Sequence, residues 1–190
     1  MNTTHPSKVG VIVGSNRRES INRRLALALT RLVEDRIAWR WIAIDDLPMY
    51  NQDLEPDRPE PVRRFTAEVA SVPAVLFVTP EHNRSLPAVL KNAIDWGSKP
   101  TDKQVWRDRV AAITGTSFGV IGTAVGQQHL RQILGILSMT VMGGEAYISF
   151  RPDPVDHDGN FLDEGKRAFC QAYMDQFVAL VARFADPSVP

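Results

Sequence analysis

The sequence predicts an open α/β fold, a doubly wound five-stranded parallel sheet with helices on both faces. Three observations predict it. Short apolar runs, Val9 to Val13, Ala74 to Val78 and Val110 to Thr114, recur between turn signals. They lack polar alternation, which fits strands buried on both faces. Segments of helical period separate them, and alternating strands and helices imply parallel pairing through right-handed crossovers. Each of the three runs ends in a polar or glycine-rich loop that leads into a helix. Strand order 2-1-3-4-5 places the ends of strands one, three and four side by side, at a switch point where ligands bind. A chain of 190 residues suits one domain, residues 1–190.

The elements follow in order. After the first strand comes Gly14-Ser15-Asn16-Arg17-Arg18-Glu19-Ser20, then a helix to about Asp35 with Leu25, Ala28, Leu29 and Leu32 on one face. Trp39 to Ile44 reads as the second strand. Asp45 to Pro61 is rich in proline and acid and reads as a surface loop. Val62 to Ala70 is a helix with Phe65 and Val69 inward, and Ala74 to Val78 is the third strand. Thr79 to Ser98 then turns polar, and Pro80 cannot donate to a ladder. Ser85 and Pro87 stand where a helix starts, with Leu90, Ala93, Ile94 and Gly97 at helical spacing. Lys99 to Arg107 is a polar connection containing Trp106. The fourth strand is followed by Gly115 to Gly122, then by a helix to about Met139, which Gly143-Gly144 ends. Ala146 to Phe150 is the fifth strand. Asp163 to Phe184 is the last helix, with Phe169, Tyr173, Phe177, Leu180 and Phe184 inward.

Composition excludes several classes. Basic and acidic residues number 22 each, so no net charge favours nucleic acid or an anionic membrane. The single cysteine, Cys170, rules out an intrachain disulfide or a cysteine-clustered zinc site, and its apolar neighbours mark it as a buried thiol. The N-terminal stretch has no signal-peptide core, and no run is long enough to span a membrane, so the expected location is cytoplasmic.

The loops carry the chemistry. The first has neither the P-loop Gly-Lys-Ser/Thr nor Gly-x-Gly-x-x-Gly, so it suits neither a triphosphate nor a dinucleotide fingerprint. It does offer Ser15, Arg17, Ser20 and Asn22 beside a helix start where Arg23 and Arg24, not an acid, follow the cap Ser20, which suits one phosphate monoester. The residues alone equally admit Ser20 as a simple cap and Arg17 as a solvated charge. A tyrosine phosphatase of this topology needs a cysteine in that loop, and a phospho-acceptor regulator needs acids there; Gly14, Ser15 and Thr79 supply neither.

Pro80-Glu81-His82-Asn83-Arg84-Ser85, Pro87, and Leu90 to Trp96 resemble the flavin loop of the NADPH-dependent FMN reductase family. Gly-Ser-x-Arg-x-x-Ser-x-Asn from Gly14 to Asn22 matches the same family. The resemblance runs from Val9 to about Leu137. His82 departs from the family's usual tyrosine, and Gly122-Thr123 from its Gly-Gly. The resemblance implies a flavodoxin-like fold, bound FMN, and NADPH or NADH as hydride donor. It implies that Ser15, Arg17, Ser20 and Asn22 hold the phosphate. Pro80, Glu81, His82, Asn83 and Ser85 would lie against the ring and ribityl chain, with the N–H groups of Glu81 to Asn83 at the pyrimidine edge. Thr116, Ser117 and Gly119 would complete the cleft. No catalytic acid–base side chain and no metal are expected. The implied reaction passes hydride from a nicotinamide to FMN, then electrons to a quinone, azo compound, metal oxyanion or free flavin. The alternative is a non-catalytic flavin-binding electron carrier or redox sensor. The implied partners are a small-molecule acceptor and further copies in a homodimer or homotetramer, with no nucleic acid and no membrane.

Overall fold

The computed structural model describes residues 7–185. The centre of the sheet is made by β1 (Ser7–Val13), β3 (Ala74–Val78) and β4 (Val110–Ser117), with β2 (Ile37–Trp41) on the outer side of β1. Every pairing is parallel, and Val9 to Val13 lie opposite Ala74 to Val78. The expected 2-1-3-4-5 order is present. Its fifth lane, however, is shared by two short strands, β5 (Thr140–Val141) and β6 (Ala146–Ser149), both paired with β4.

Side chains alternate across each strand, so the apolar runs feed two cores. Val9, Val11, Leu76 and Val78 face α1 (Ile21–Arg31) and α5 (Glu164–Ala185). Ile12, Val75, Phe77 and Ile113 face α2 (Glu60–Ala70), α3 (Ala88–Gly97) and α4 (Ala124–Ile136). Trp106, which the sequence placed in a polar connection, is fully buried in the second core; its indole packs against Phe65 and Phe77 and donates to the Ile94 carbonyl at 3.0 Å. The loop before α2 is docked rather than free. Asn92 and Trp96 donate to the Pro48 carbonyl, and the Tyr50 N–H donates to Asn92 Oδ1 at 2.7 Å.

Several boundaries and one helix face differ from the sequence reading. The first helix stops at Arg31 instead of near Asp35. The second strand covers Ile37–Trp41 instead of Trp39 to Ile44. Ile42 and Ile44 are buried, but against the α2–α3 face as the chain leaves the ladder; an apolar run alone does not separate strand from buried coil. The fourth helix ends at Ile136, without help from Gly143-Gly144. Met139 N–H bonds to Leu134 O and Ser138 N–H to Gly135 O, a Schellman pattern in which Ser138 takes the left-handed position at φ 61°. In the last helix, Phe169 and Phe184 are 48% and 52% exposed. The buried stripe is Cys170, Tyr173, Met174, Phe177 and Val181, one residue round the helix from the predicted face at its start. Burial pushes the Cys170 thiol up to about 12, so it packs as an apolar group.

The split fifth lane leaves a gap opposite Ile113, and Tyr173 fills it. Its hydroxyl accepts from the Ile113 N–H at 3.0 Å and donates to the Ile113 carbonyl at 2.7 Å. One phenol thus replaces a missing strand residue. Tyr173→Phe should leave both groups buried and unpaired, a cost of about 1–3 kcal/mol for each. The urea midpoint should fall clearly, and an unchanged midpoint would show that Tyr173 does not close the sheet.

Candidate functional site

Three loops meet at the carboxyl ends of β1, β3 and β4. The strand ends are drawn together around Thr79, which is fully buried. Gly14 N–H bonds to Val78 O and Thr79 N–H to Thr114 O, so the ladder persists to the rim. A Cβ at Gly14 would lie 2.3 Å from Thr79 Oγ1, and one at Gly115 would lie 1.9 Å from the Thr79 carbonyl. Only glycine permits that approach on either side.

In the first loop, Ser20 caps α1, accepting from the Arg23 N–H at 3.2 Å. The first turn of α1 carries no acid, so its free N–H groups and dipole favour an anion. Ser15 is half-buried, and Arg17 and Arg18 are exposed. Asn22 is 2% exposed and faces inward: Nδ2 donates to the Thr116 carbonyl and Oδ1 accepts from the Thr116 N–H, both at 2.9 Å. Thr116 is fully buried, and its own hydroxyl donates to Ile148 O at 2.7 Å. These two residues, which the sequence placed against a ligand, therefore tie the first loop to the third from beneath.

The second loop is a tight turn. His82 and Ser85 exchange backbone hydrogen bonds of 2.9 Å, and Asn83 and Arg84 take positive φ of 50° and 64°, as a primed hairpin turn requires. That exchange engages the His82 N–H with Ser85 O, which removes it from the donors assigned to a ring; those of Glu81 and Asn83 remain. Ser85 sits in the turn rather than at the helix start, and Pro87 is the N-cap residue of α3. Glu81 has a nearly buried side chain that accepts from the Gly126 N–H at 2.9 Å and faces Arg84 at 3.4 Å. Its carboxylate fastens the turn to α4. The Ser85 hydroxyl and His129 Nδ1 lie 3.2 Å apart, while Arg131 donates to Met142 and Gly144 carbonyls and so holds the segment between β5 and β6.

In the third loop, Ser117 Oγ donates to Gly122 O at 2.6 Å and accepts from the Gly119 N–H at 3.2 Å. A Cβ at Gly119 would meet only that hydroxyl, at 3.4 Å, so the space beside it is open. Phe118, Val120 and Ile121, which the sequence reading passed over, form an exposed apolar lip here; Val120 is 94% exposed. Phe118 is held edge-on to Phe150, with Arg151 over its ring. The signal was present as bulky apolar residues interleaved with glycine. Among the described residues there is no cluster of three or more His, Cys, Asp or Glu that could hold a metal, and no helix is long and apolar enough to cross a membrane.

The donor set fits FMN. It offers an acid-free helix start with serine and arginine for a phosphate, backbone and small polar groups for a ring, and no free carboxylate on the Glu81 side to repel the anion. Fold and site thus define a flavin-binding protein of the doubly wound class. The family model for NADPH-dependent FMN reductases matches residues 7–153, and the chain belongs to that family. It is an oxidoreductase that uses FMN, with NAD(P)H as the electron donor. The chain is 43% identical over 175 residues to a 2-hydroxy-1,4-benzoquinone reductase of Burkholderia sp, covering 92% of this chain and 96% of that protein. It is also 43% identical over 175 residues to a quinone reductase of Pseudomonas putida, covering 91% and 94%. Among solved structures, the flavoenzyme NAD(P)H:(acceptor) oxidoreductase FerB of Paracoccus denitrificans superposes with a TM-score of 0.90 at 40% identity, over 94% of this chain and 98% of that one.

The Asn22–Thr116 pair should behave as a frame. Asn22→Ala leaves the buried Thr116 N–H and carbonyl unpaired, at about 1–3 kcal/mol for each. Thermal unfolding should move down by several degrees, at about 2–4 °C per kcal/mol for a chain of this size. A melting temperature within a degree of wild type would show that the pair does not hold the loops.

Proposed function

We propose that the protein reduces quinones, taking hydride from a nicotinamide and holding FMN at the junction of the three loops. The observation that carries this reading is the convergence of an acid-free, serine-capped helix start, a primed turn and an open glycine-bearing loop on one rim. FMN, when bound, supplies the redox chemistry, accepting hydride and passing electrons on. The chain's own residues bind and orient. Ser15, Arg17, Ser20 and the N–H groups of α1 hold the phosphate. Pro80, Glu81, His82, Asn83 and Ser85 border the ring on one side, and Ser117 and Gly119 on the other. Glu81 keeps the turn in place through Gly126, and Asn22 with Thr116 sets the spacing beneath.

The apolar lip favours a flat organic acceptor over a metal oxyanion. Phe118, Val120 and Ile121 offer apolar surface where an oxyanion would need paired cations. The names of the relatives, quinone reductases, point the same way.

With one open rim for both substrates, NADPH and quinone should use it in turn. Steady-state rates with both varied should give parallel double-reciprocal lines. Intersecting lines would refute sequential use of one site, and an absence of turnover in FMN-loaded protein would leave the electron-carrier reading.

Arg17 lies in an exposed loop outside both cores. Arg17→Ala should weaken FMN about ten- to 150-fold, the loss of one hydrogen bond to a charged group at about 1.5–3 kcal/mol. Riboflavin, which has no phosphate, should lose little. Fluorescence titration with both ligands decides; equal losses would remove Arg17 from the phosphate site.

A further inference from the structure

The apolar lip of the third loop has a cation standing over it. Phe118, Val120 and Ile121 expose apolar surface beside Gly119, and the Arg151 guanidinium lies 5.3 Å from the centroid of the Phe118 ring. Arg151 belongs to the segment after β6, yet the fold fixes it against the third loop. β6 runs beside the end of β4, with Ser149 opposite Ser117. The Phe150 N–H then donates to the Ser117 carbonyl at 2.7 Å, and the Phe150 ring is buried with Ala28 and Val155. Phe118 meets that ring edge-on, at 5.9 Å between centroids. Arg151 comes next, and its N–H donates to Ser149 Oγ at 3.3 Å. Strand pairing and one buried ring thus decide where the guanidinium stands.

That guanidinium is unspent. Among the described residues it has no ion pair and no hydrogen bond. Two other cations reach the same segment, and both are engaged. Arg24 is held by the Val155 and Asp156 carbonyls and by Asp153, and Lys166 donates to the Pro152 carbonyl at 3.1 Å. Asp153, two residues from Arg151, is therefore turned toward Arg24. A ring attracts a cation placed over it without using up the cation's N–H donors. The fork of Arg151 is left for a ligand oxygen. An apolar ring beside a planar cation suits a ligand of the same two-part character, a flat apolar body with one anionic substituent.

We propose that Arg151 is a specificity-determining residue. It makes the lip favour quinones that carry an anionic group (a carboxylate, a sulfonate or an ionised hydroxyl) over neutral quinones of the same ring size. The proposal rests on the reading that quinones are reduced at the three-loop rim. The body of the acceptor lies on Phe118, and its anionic group meets the Arg151 fork. The contact is at the surface, so its effect is modest and falls with salt.

Two measurements test it. In the first, FMN-loaded protein at neutral pH is titrated calorimetrically with 2-naphthalenesulfonate and with 2-naphthol, neither of which is a quinone. The sulfonate should bind about two- to fivefold more tightly, the scale of one exposed ion pair. Arg151→Gln should remove that advantage, Arg151→Lys should keep most of it, and Arg151→Glu should reverse it. In the second, kcat/KM is measured for 1,4-naphthoquinone and for its 2-sulfonate. The ratio of the charged to the neutral acceptor should fall about two- to fivefold in Arg151→Gln, through KM rather than kcat. Differences in reduction potential between the acceptors cancel when the variant is compared with wild type. Added salt should bring the wild-type ratio toward that of Arg151→Gln. Arg151→Lys and Arg151→Glu carry both comparisons if Arg151→Gln does not fold. Equal losses for charged and neutral ligands overturn the proposal, because Arg151 would then only support Phe118. A rise confined to the KM of the nicotinamide donor also overturns it, since the guanidinium would then serve the donor's phosphates. If wild type reduces neither quinone, the acceptor assignment fails, and the titration alone decides the role of Arg151.

Discussion

Two hydrogen bonds between Asn22 and Thr116 hold the functional end of the molecule together. They join the first turn of α1 to the last residues of β4, 94 positions away in sequence. Both partners are buried, so no water competes for the bonds, and breaking them leaves a peptide group without partners. The bonds fix how far the first loop stands from the third. Between these loops, Thr79 is gripped by Gly14 and Gly115 at distances that no other residue allows. The rim on which a flavin would rest is thus built on ladder backbone, and its geometry does not depend on the loops' own preferences.

The opposite side of β4 shows a second economy of construction. A continuous fifth strand is absent; β5 covers the lower part of β4, β6 covers the upper part, and the Tyr173 hydroxyl serves the residue between. The interruption lets the chain turn through Gly143 and Gly144, a turn that Arg131 holds by its carbonyls. It also couples α5 to the centre of the sheet by a directional contact in addition to its apolar stripe. β6 in turn receives the hydroxyls of Thr114 and Thr116 and the amide of Gln127 at its carbonyls. The third loop therefore springs from a strand whose far edge is fastened by side chains.

The rim and a cleft between the first loop and the end of β2 divide the surface of that loop. Toward the inside lie a capped helix start and an apolar lip. Toward the outside lie Arg18, Arg23 and the Trp41 indole. An edge strand usually carries charge or is covered to discourage pairing with another chain. Here β2 carries the exposed charge of Arg40 at the edge, and Trp41 beside it lines the cleft.

The sequence by itself determined what is local in the chain. Ala74 to Val78 is the central strand at both of its predicted ends, where Pro73 and Pro80 flank a run rich in β-branched and aromatic residues. Ser20 caps α1, because the hydroxyl and the N–H it serves are three residues apart. The strand order fitted the alternation of strands and helices, and the family entered through the resemblance of two loop motifs. Tertiary structure decided whatever depends on partners distant in sequence. Asn22 and Thr116 read as ligand contacts until the fold turned them toward each other. Glu81 fastens a turn because Gly126 comes within 2.9 Å of it. Phe169 and Phe184 fit a helical stripe on paper, but the sheet accepts the stripe through Cys170 and Tyr173, and the two rings stay half exposed. The cleft around Trp41 exists only because β1 and β2 pair in one register. Periodicity records which residues share a face of one element; only packing sets which face meets which neighbour.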